Sequence, residues 1–478
     1  MKRLLLWLFS ALILIAAILL INTFSKGSLQ KEVPQAELAK VNEDAFERLS
    51  QAIRIPTISF ERAEDFQAAP FDSLHRWISA NYPLTDSLLQ REEFGLSLLY
   101  TWRGSDPDLA PAILIAHQDV VPADEESLDK WTEAPFSGLR KDGLIWGRGA
   151  MDDKSSVLGI LEAVEGLLQE GFQTRRTIYL AFGHDEEIGG EAGARLIAEA
   201  LEARGVQACM TLDEGGYVVS GGLVPGLTQP LAIVNLAEKG SLNLNLTVNH
   251  EGGHSSNVPD DHAIGVLSRA IIKLDEHPFP LRKIEPAKAF IRTVGPELDF
   301  GYRMAFANTW ATKGIVLDAI GARTTMVPTI LEGGVKINAL PTKAQASVNI
   351  RLLPGDEPEA ALERVIRTIH DERVVISVID SSGPPPVSSH ETEEFRMLER
   401  SIRQTMPDAL VSPGFTFGGT DSRHFHRISA QVYRFLPIRI NPDNVSGFHG
   451  IDEFITEANY AEHIQFYDRV LRNLSEGQ

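Results

Sequence analysis

The chain has a single cysteine among 478 residues, Cys209. One thiol can form neither an intrachain disulfide nor a thiolate metal cluster. Cys209 lies in the apolar stretch ACMTLD and reads as strand core, not as a nucleophile. Basic charge is also scarce. Forty-five Lys and Arg stand against 65 Asp and Glu, a net charge of −20, which excludes a nucleic-acid partner because phosphate recognition needs a basic surface. There is no internal repeat and no low-complexity tract, so solenoid and fibrous architectures are excluded as well. With 43% hydrophobic and 23% charged residues, what remains is an ordinary globular composition with length for about two to three domains.

Long apolar runs are confined to one place. Lys2 and Arg3 precede an almost unbroken run from Leu4 to Ile21. At about 1.5 Å per residue this run spans roughly 27 Å, close to the hydrocarbon thickness of about 30 Å. The basic flank before it orients the N-terminus to the cytoplasm and the rest of the chain to the other side. A cleavable signal peptide competes with this reading, but the apolar run is long for one and no clear small-x-small cleavage site follows Ile21. The expectation is an uncleaved anchor over 1–25, a polar tether over 26–41, and a membrane-anchored body on the extracytoplasmic side.

Beyond the tether, Phe46, Leu49 and Ile53 share one helical face, and the pattern stops before Pro56. Val157, Ile160, Leu161, Val164 and Leu168 mark a second amphipathic helix closed by Gly171. Apolar strands at Ile113–Ala116, Thr177–Phe182 and Met210–Leu212 alternate with these helical patterns, which implies a mostly parallel sheet covered on both faces. The character changes near Glu238. Leu242, Leu244, Leu246 and Val248 alternate with polar residues, as do the residues of Gln345–Leu352, and helical patterns intervene. That describes a small α+β domain, 239–380, inserted between catalytic parts 42–238 and 381–478. Within it, Glu276–Arg323 has no assignable pattern.

Four acidic or imidazole clusters follow apolar strands or Gly-rich turns: His117/Asp119, Asp152/Asp153, Glu186/Glu187 and Asp213/Glu214. In open α/β sheets ligands collect at the carboxyl ends of strands. Carboxylates converging there would repel one another unless a cation compensates them, and few Lys or Arg lie near them in sequence. A two-metal site follows, with His449 between Gly447 and Gly450 as a late imidazole.

The ordered motifs HQDVVP, GRGAMDDK, HDEEIGG, LDEGG, GHSS and a late FHG resemble the co-catalytic zinc aminoacylase/carboxypeptidase family. LDEGG, AEKGS, GGVKINALP and GGTDSR bring the chain nearest to its N-fatty-acyl-amino-acid synthase/hydrolase and carboxypeptidase S branch. The resemblance implies an α/β fold, a zinc-peptidase-type mixed sheet flanked by helices with an inserted lid of the dimerisation type. It implies two Zn2+, with Co2+ or Mn2+ as substitutes in the same ligand set. His117 would bind one ion, Asp152 would bridge both, Glu187 and His449 would complete one site, and Asp213 would serve the other, with adjacent Glu214 as the alternative. Asp119 would accept from the ring of His117 and fix its tautomer. A strained Asp152–Asp153 peptide is a further expectation.

Glu186 is the expected general base, although a carboxylate in the first turn of a helix is also physically sensible there. The same resemblance implies that His254 in GGHSS reaches over the site and stabilises an oxyanion, as the family's His at this place does, sometimes from a partner subunit; a surface loop His is the alternative. Alternation places Asn349 and Arg351 on one sheet face, so Arg351 is available for a substrate carboxylate unless that face is merely solvated. Asn338 and Arg423 are further substrate-binding candidates. The expected activity is cleavage, or reversible formation, of the amide bond of N-acyl amino acids, with a carboxypeptidase acting on short peptides as the alternative. A homodimer through the inserted domain is the remaining partner expectation.

Overall fold

The apolar run Ala112–His117 is buried along its whole length, and its pleat explains why it sits at the centre of a sheet. Ala112, Leu114 and Ala116 face one hydrophobic cluster while Ile113 and Ile115 face another. A strand apolar on both faces must be covered on both. In the computed structural model, which describes residues 1–60, 62–257 and 259–476, this strand runs parallel to Ile178–Gly183 on one side and Met210–Asp213 on the other, and Val432–Arg434 continues the parallel set. Four strands therefore end on the same edge. Antiparallel additions, Ser97–Trp102 on one flank and Leu231–Glu238 on the other, make the ten-stranded sheet mixed.

Helices cover both faces. Lys154–Gln169 packs with the C-terminal helix Glu457–Ser475 on one side, and Ala194–Ala203 covers the other. The sequence from Ser381 onward reads as ending in strands and the segment GFHGIDEF, whereas the chain closes in the helix Glu457–Ser475. Thr456 caps it by accepting from Asn459 N, and the residues before it do form the short strand Phe454–Thr456.

A second sheet orders Thr325–Gly333, Lys343–Leu352, Gly240–Asn249 and Val374–Ser382, all antiparallel. The alternating leucines of Gly240–Asn249 pack with Val266, Leu267 and Leu274 of the helix Ala263–Glu276. The segment without an assignable pattern forms three helices, Glu285–Val294, Phe300–Ala307 and Thr309–Ala319. The first does not join the small core. Val294 and Leu298 pack instead with Leu231 and Leu410 of the larger sheet. Lys2–Ser25 is one continuous helix, and among the described residues it is the one helix long and apolar enough to cross a membrane.

Candidate metal centre

Because the central strands are parallel, the residues immediately after them meet at one edge. His117 ends its strand and is buried. Its Nε2 lies 3.0 Å from Asp152 Oδ1 and 3.7 Å from Glu214 Oε1. The other Asp152 oxygen is 3.1 Å from His449 Nε2, which is itself 3.2 Å from Glu187 Oε2. Asp152 thus stands between two imidazoles contributed by positions 332 residues apart. His117, Asp152 and Glu187 form one compact group of potential ligand atoms, and His117, Glu186 and Glu214 form a second.

Asp119 does more than the ring contact expected of it. The nearer partner of His117 Nδ1 is the Asp119 backbone carbonyl at 3.0 Å, with the carboxylate at 3.4 Å. A carbonyl only accepts, so it fixes the proton on Nδ1 and leaves Nε2 free for a metal. The Asp119 carboxylate accepts from Ser59 Oγ and from the backbone N–H groups of Glu186 and Glu187. One side chain therefore positions the 186–187 turn relative to His117. The Asp152–Asp153 peptide is cis.

The structure places Asp213, the expected ligand, and its alternative Glu214 differently. The Asp213 carboxylate accepts from Ser422 N at 2.7 Å and belongs to neither compact ligand group. Glu214, one residue beyond the strand, turns into the site. The one-residue difference reflects strand pleat, since successive side chains at a strand end point to opposite faces. Of the other expected residues, Arg423 lies at the pocket rim, donating to Thr420 O at 2.9 Å. His254 is exposed on the short strand Gly253–His254, its Nδ1 2.8 Å from Ser256 Oγ, and does not line the pocket. Asn338 is exposed beside it and accepts from Ser255 N through its backbone. Arg351 is half-buried in the small sheet, opposite Ser241.

Two residues escaped sequence reasoning. Glu453 is fully buried, pairs with Arg148 at 2.8 Å and accepts from the backbone N–H groups of Gly149, Met151 and Asp152. It holds the loop that carries Asp152. It lies in the late GFHGIDEF segment, where nothing in the spacing distinguished it from its acidic neighbour. Glu453→Ala would leave Arg148 charged and buried with three unpaired N–H groups. Breaking such a pair costs about 3–5 kcal/mol, so denaturant unfolding should show a loss of that order together with weakened metal retention. Lys239, from the AEKGS stretch, is the second. Its ammonium lies 4.8 Å from the centroid of the Phe417 ring, beside pocket residues Thr416 and Gly418.

Burial, and then the surrounding carboxylates, push Glu186 and Glu214 well above the usual carboxylate range. Hydrogen bonding to Asp152 and Glu187 raises His449 to about 10. Excess negative charge is thus held together in a desolvated place, and Glu187 Oε1 is buried with no hydrogen-bond partner. Imidazole nitrogens and carboxylate oxygens with an unsatisfied donor atom fit divalent cations, zinc among them. The adjoining pocket has an apolar wall that includes Tyr217, Ile440 and Phe448.

The profile of peptidase family M20/M25/M40 matches residues 113–473. The chain is 39% identical over 441 residues to the probable carboxypeptidase S-like 2 of Dictyostelium discoideum, covering 89% of this chain and 84% of that one. It is 38% identical over 442 residues to the N-fatty-acyl-amino acid synthase/hydrolase PM20D1 of Mus musculus, covering 89% and 87%. In fold it is similar to the M20 family metallo-carboxypeptidase Sso-CP2 from Sulfolobus solfataricus, with a TM-score of 0.70 at 18% identity over 91% of this chain and all of that one. The chain belongs to peptidase family M20/M25/M40 and is a metal-dependent hydrolase of that family.

Proposed function

We propose that this enzyme cleaves, or reversibly forms, the amide bond between a fatty acyl group and an amino acid, using two zinc ions. The observation that carries the reading is the convergence of His117, Asp152, Glu187, Glu214 and His449 around Glu186 in a pocket with an apolar wall. The N-fatty-acyl-amino acid synthase/hydrolase relatives supply the substrate class. Bound zinc would polarise the amide carbonyl and acidify water. Asp152 would bridge the ions, His117 and Glu214 would hold one, and Glu187 and His449 the other. Glu186 would take the proton from the attacking water and return it to the leaving amine. Tyr217 and Phe448 would shield the acyl side from water, and Lys239, Arg351 and Arg423 would receive the substrate carboxylate.

A carboxypeptidase reading is favoured by the carboxypeptidase S-like relative. Metal analysis followed by turnover of N-oleoyl amino acids against blocked dipeptides decides between them. A strong preference for the dipeptides would overturn the acyl reading, and metal-free active protein would overturn both.

The role of Lys239 has a pH signature. Burial, and next Arg323 and Arg351, lower its ammonium to about 8. It is cationic below that pH and neutral above it. The KM for substrates with a free carboxylate should therefore rise as pH passes about 8, while carboxamide substrates show no such rise. Lys239→Met should raise KM at neutral pH and remove this dependence; a pH profile identical to the parent's would dismiss the role.

We read Lys2–Ser25 as a retained anchor with the body on the extracytoplasmic side, supported by its length, its apolar surface and the basic flank. The division into 42–238, 239–380 and 381–478 is supported by separate hydrophobic clusters on the two sheets. Exposure of His254 and Asn338 outside the pocket supports their acting from a partner subunit or a closed lid, with a homodimer as the simplest source.

A further inference from the structure

The helices Phe300–Ala307 and Thr309–Ala319 turn about Asn308, and the first packs against the anchor helix. Among the described residues, the polar contacts between the hairpin and the anchor all fall at one level. Asn308 Nδ2 donates to Leu19 O at 3.1 Å and Thr23 Oγ1 at 3.3 Å, and Asn22 Nδ2 donates to Asn308 Oδ1 at 2.9 Å. Arg303 donates to the carbonyls of Thr23 and Lys26, and Lys26 Nζ donates to Ala307 O. Phe24 stacks on Phe300 with centroids 6.0 Å apart. This is where the apolar run gives way to Asn22, Thr23, Ser25 and Lys26. For a helix whose apolar run fills the hydrocarbon layer, that level is the membrane–water interface.

Beside it the hairpin exposes large apolar and aromatic side chains: Phe300 at 53%, Tyr302 at 48%, Trp310 at 60% and Ile315 at 73%. Amphipathic aromatics at this level form the interfacial belts of membrane proteins. The local charge is also reversed. Residues 281–323 carry seven Lys and Arg against four Asp and Glu in a chain of net −20, which suits anionic headgroups. The far end of the hairpin reaches the pocket. Gly321, with φ of +65°, lies against the Phe417 ring so closely that a Cβ would meet it at 2.7 Å. Phe417 is half exposed and precedes Gly418, Gly419 and Thr420 of the pocket wall.

We propose that the hairpin is an interfacial platform, lying in the headgroup layer of the bilayer that the anchor spans and holding the pocket mouth against it, so that amphiphilic substrate enters from the lipid. This rests on the reading of Lys2–Ser25 as a retained anchor and of the substrate as a fatty-acyl amino acid.

The test uses full-length protein in vesicles of phosphatidylcholine and phosphatidylglycerol whose acyl chains carry bromine near the headgroup. Trp7→Phe removes the anchor's own tryptophan. The lipid should quench this variant, and adding Trp310→Phe should abolish that quenching. Intact protein that floats with the vesicles while Trp310 stays unquenched overturns the platform and leaves the anchor standing, whether the surface is open to water or covered by a second copy. Protein that does not float, or whose N-terminus is found beyond Ser25, overturns the anchor and the platform with it. In the second arm, Trp310→Ser/Ile315→Glu should lower turnover of vesicle-borne N-oleoyl amino acid about tenfold, as expected for lost interfacial contact, and leave a water-soluble N-butyryl amino acid unaffected. Equal losses on both substrates, or no loss on either, overturn delivery from the lipid. Turnover of neither substrate by the parent protein, in the presence of active-site metal, overturns the substrate reading instead.

Discussion

Glu186→Gln should yield a folded protein with its full complement of metal and a turnover lowered by about 10²- to 10⁴-fold, the usual contribution of a positioned general base. The backbone N–H of Glu186 is tied to Asp119 Oδ1, while its side chain lines the pocket and takes no hydrogen bond among the described residues. Glutamine has the same shape but cannot carry the proton. Metal content, thermal unfolding and kcat on a single preparation decide the matter. Substantial activity in fully metallated protein would refute the role. Loss of metal would instead make Glu186 a ligand, which its place in a compact group with His117 and Glu214 makes a meaningful contrast.

The second large effect separates two neighbours. On the proposed two-zinc reading, Glu214→Gln should reduce bound metal from two ions toward one per chain, with a loss of affinity beyond the about 10–100-fold typical of outer hydrogen-bond partners. Asp213→Asn should keep both ions, because an amide oxygen can still accept from Ser422 N as the carboxylate does at 2.7 Å. Metal titration of the two variants side by side reads this directly. The opposite pattern would restore Asp213 as the ligand and imply that its side chain rotates when metal binds.

The two motifs that bring His117 and Asp152 were legible because each follows a local signal, an apolar strand or a Gly-rich turn, that also fixes where the residue falls in an α/β sheet. The same strand signals placed Glu186 and Glu187 correctly at a sheet edge, yet could not separate Asp213 from Glu214. Pleat orientation at the last residue of a strand depends on register with its neighbours, here Arg434 opposite Asp213. Short helices such as Phe300–Ala307 escaped for a related reason. Eight residues offer barely two turns of periodicity, and what orders this helix is its contact with Lys2–Ser25 at the other end of the chain.

By itself the sequence determined which side chains are available for chemistry, that no intrachain disulfide or thiolate cluster can form, and that strands and helices alternate around a charged edge. These are properties of composition and of spacing along the backbone. Only the tertiary structure decided that Glu214 and not Asp213 joins a compact ligand group, that Glu453 braces the loop bearing Asp152 from 301 residues away, and that the unassigned helices meet the anchor. Those outcomes depend on long-range packing and on the direction of each side chain at a strand end, and neither is encoded in a local pattern.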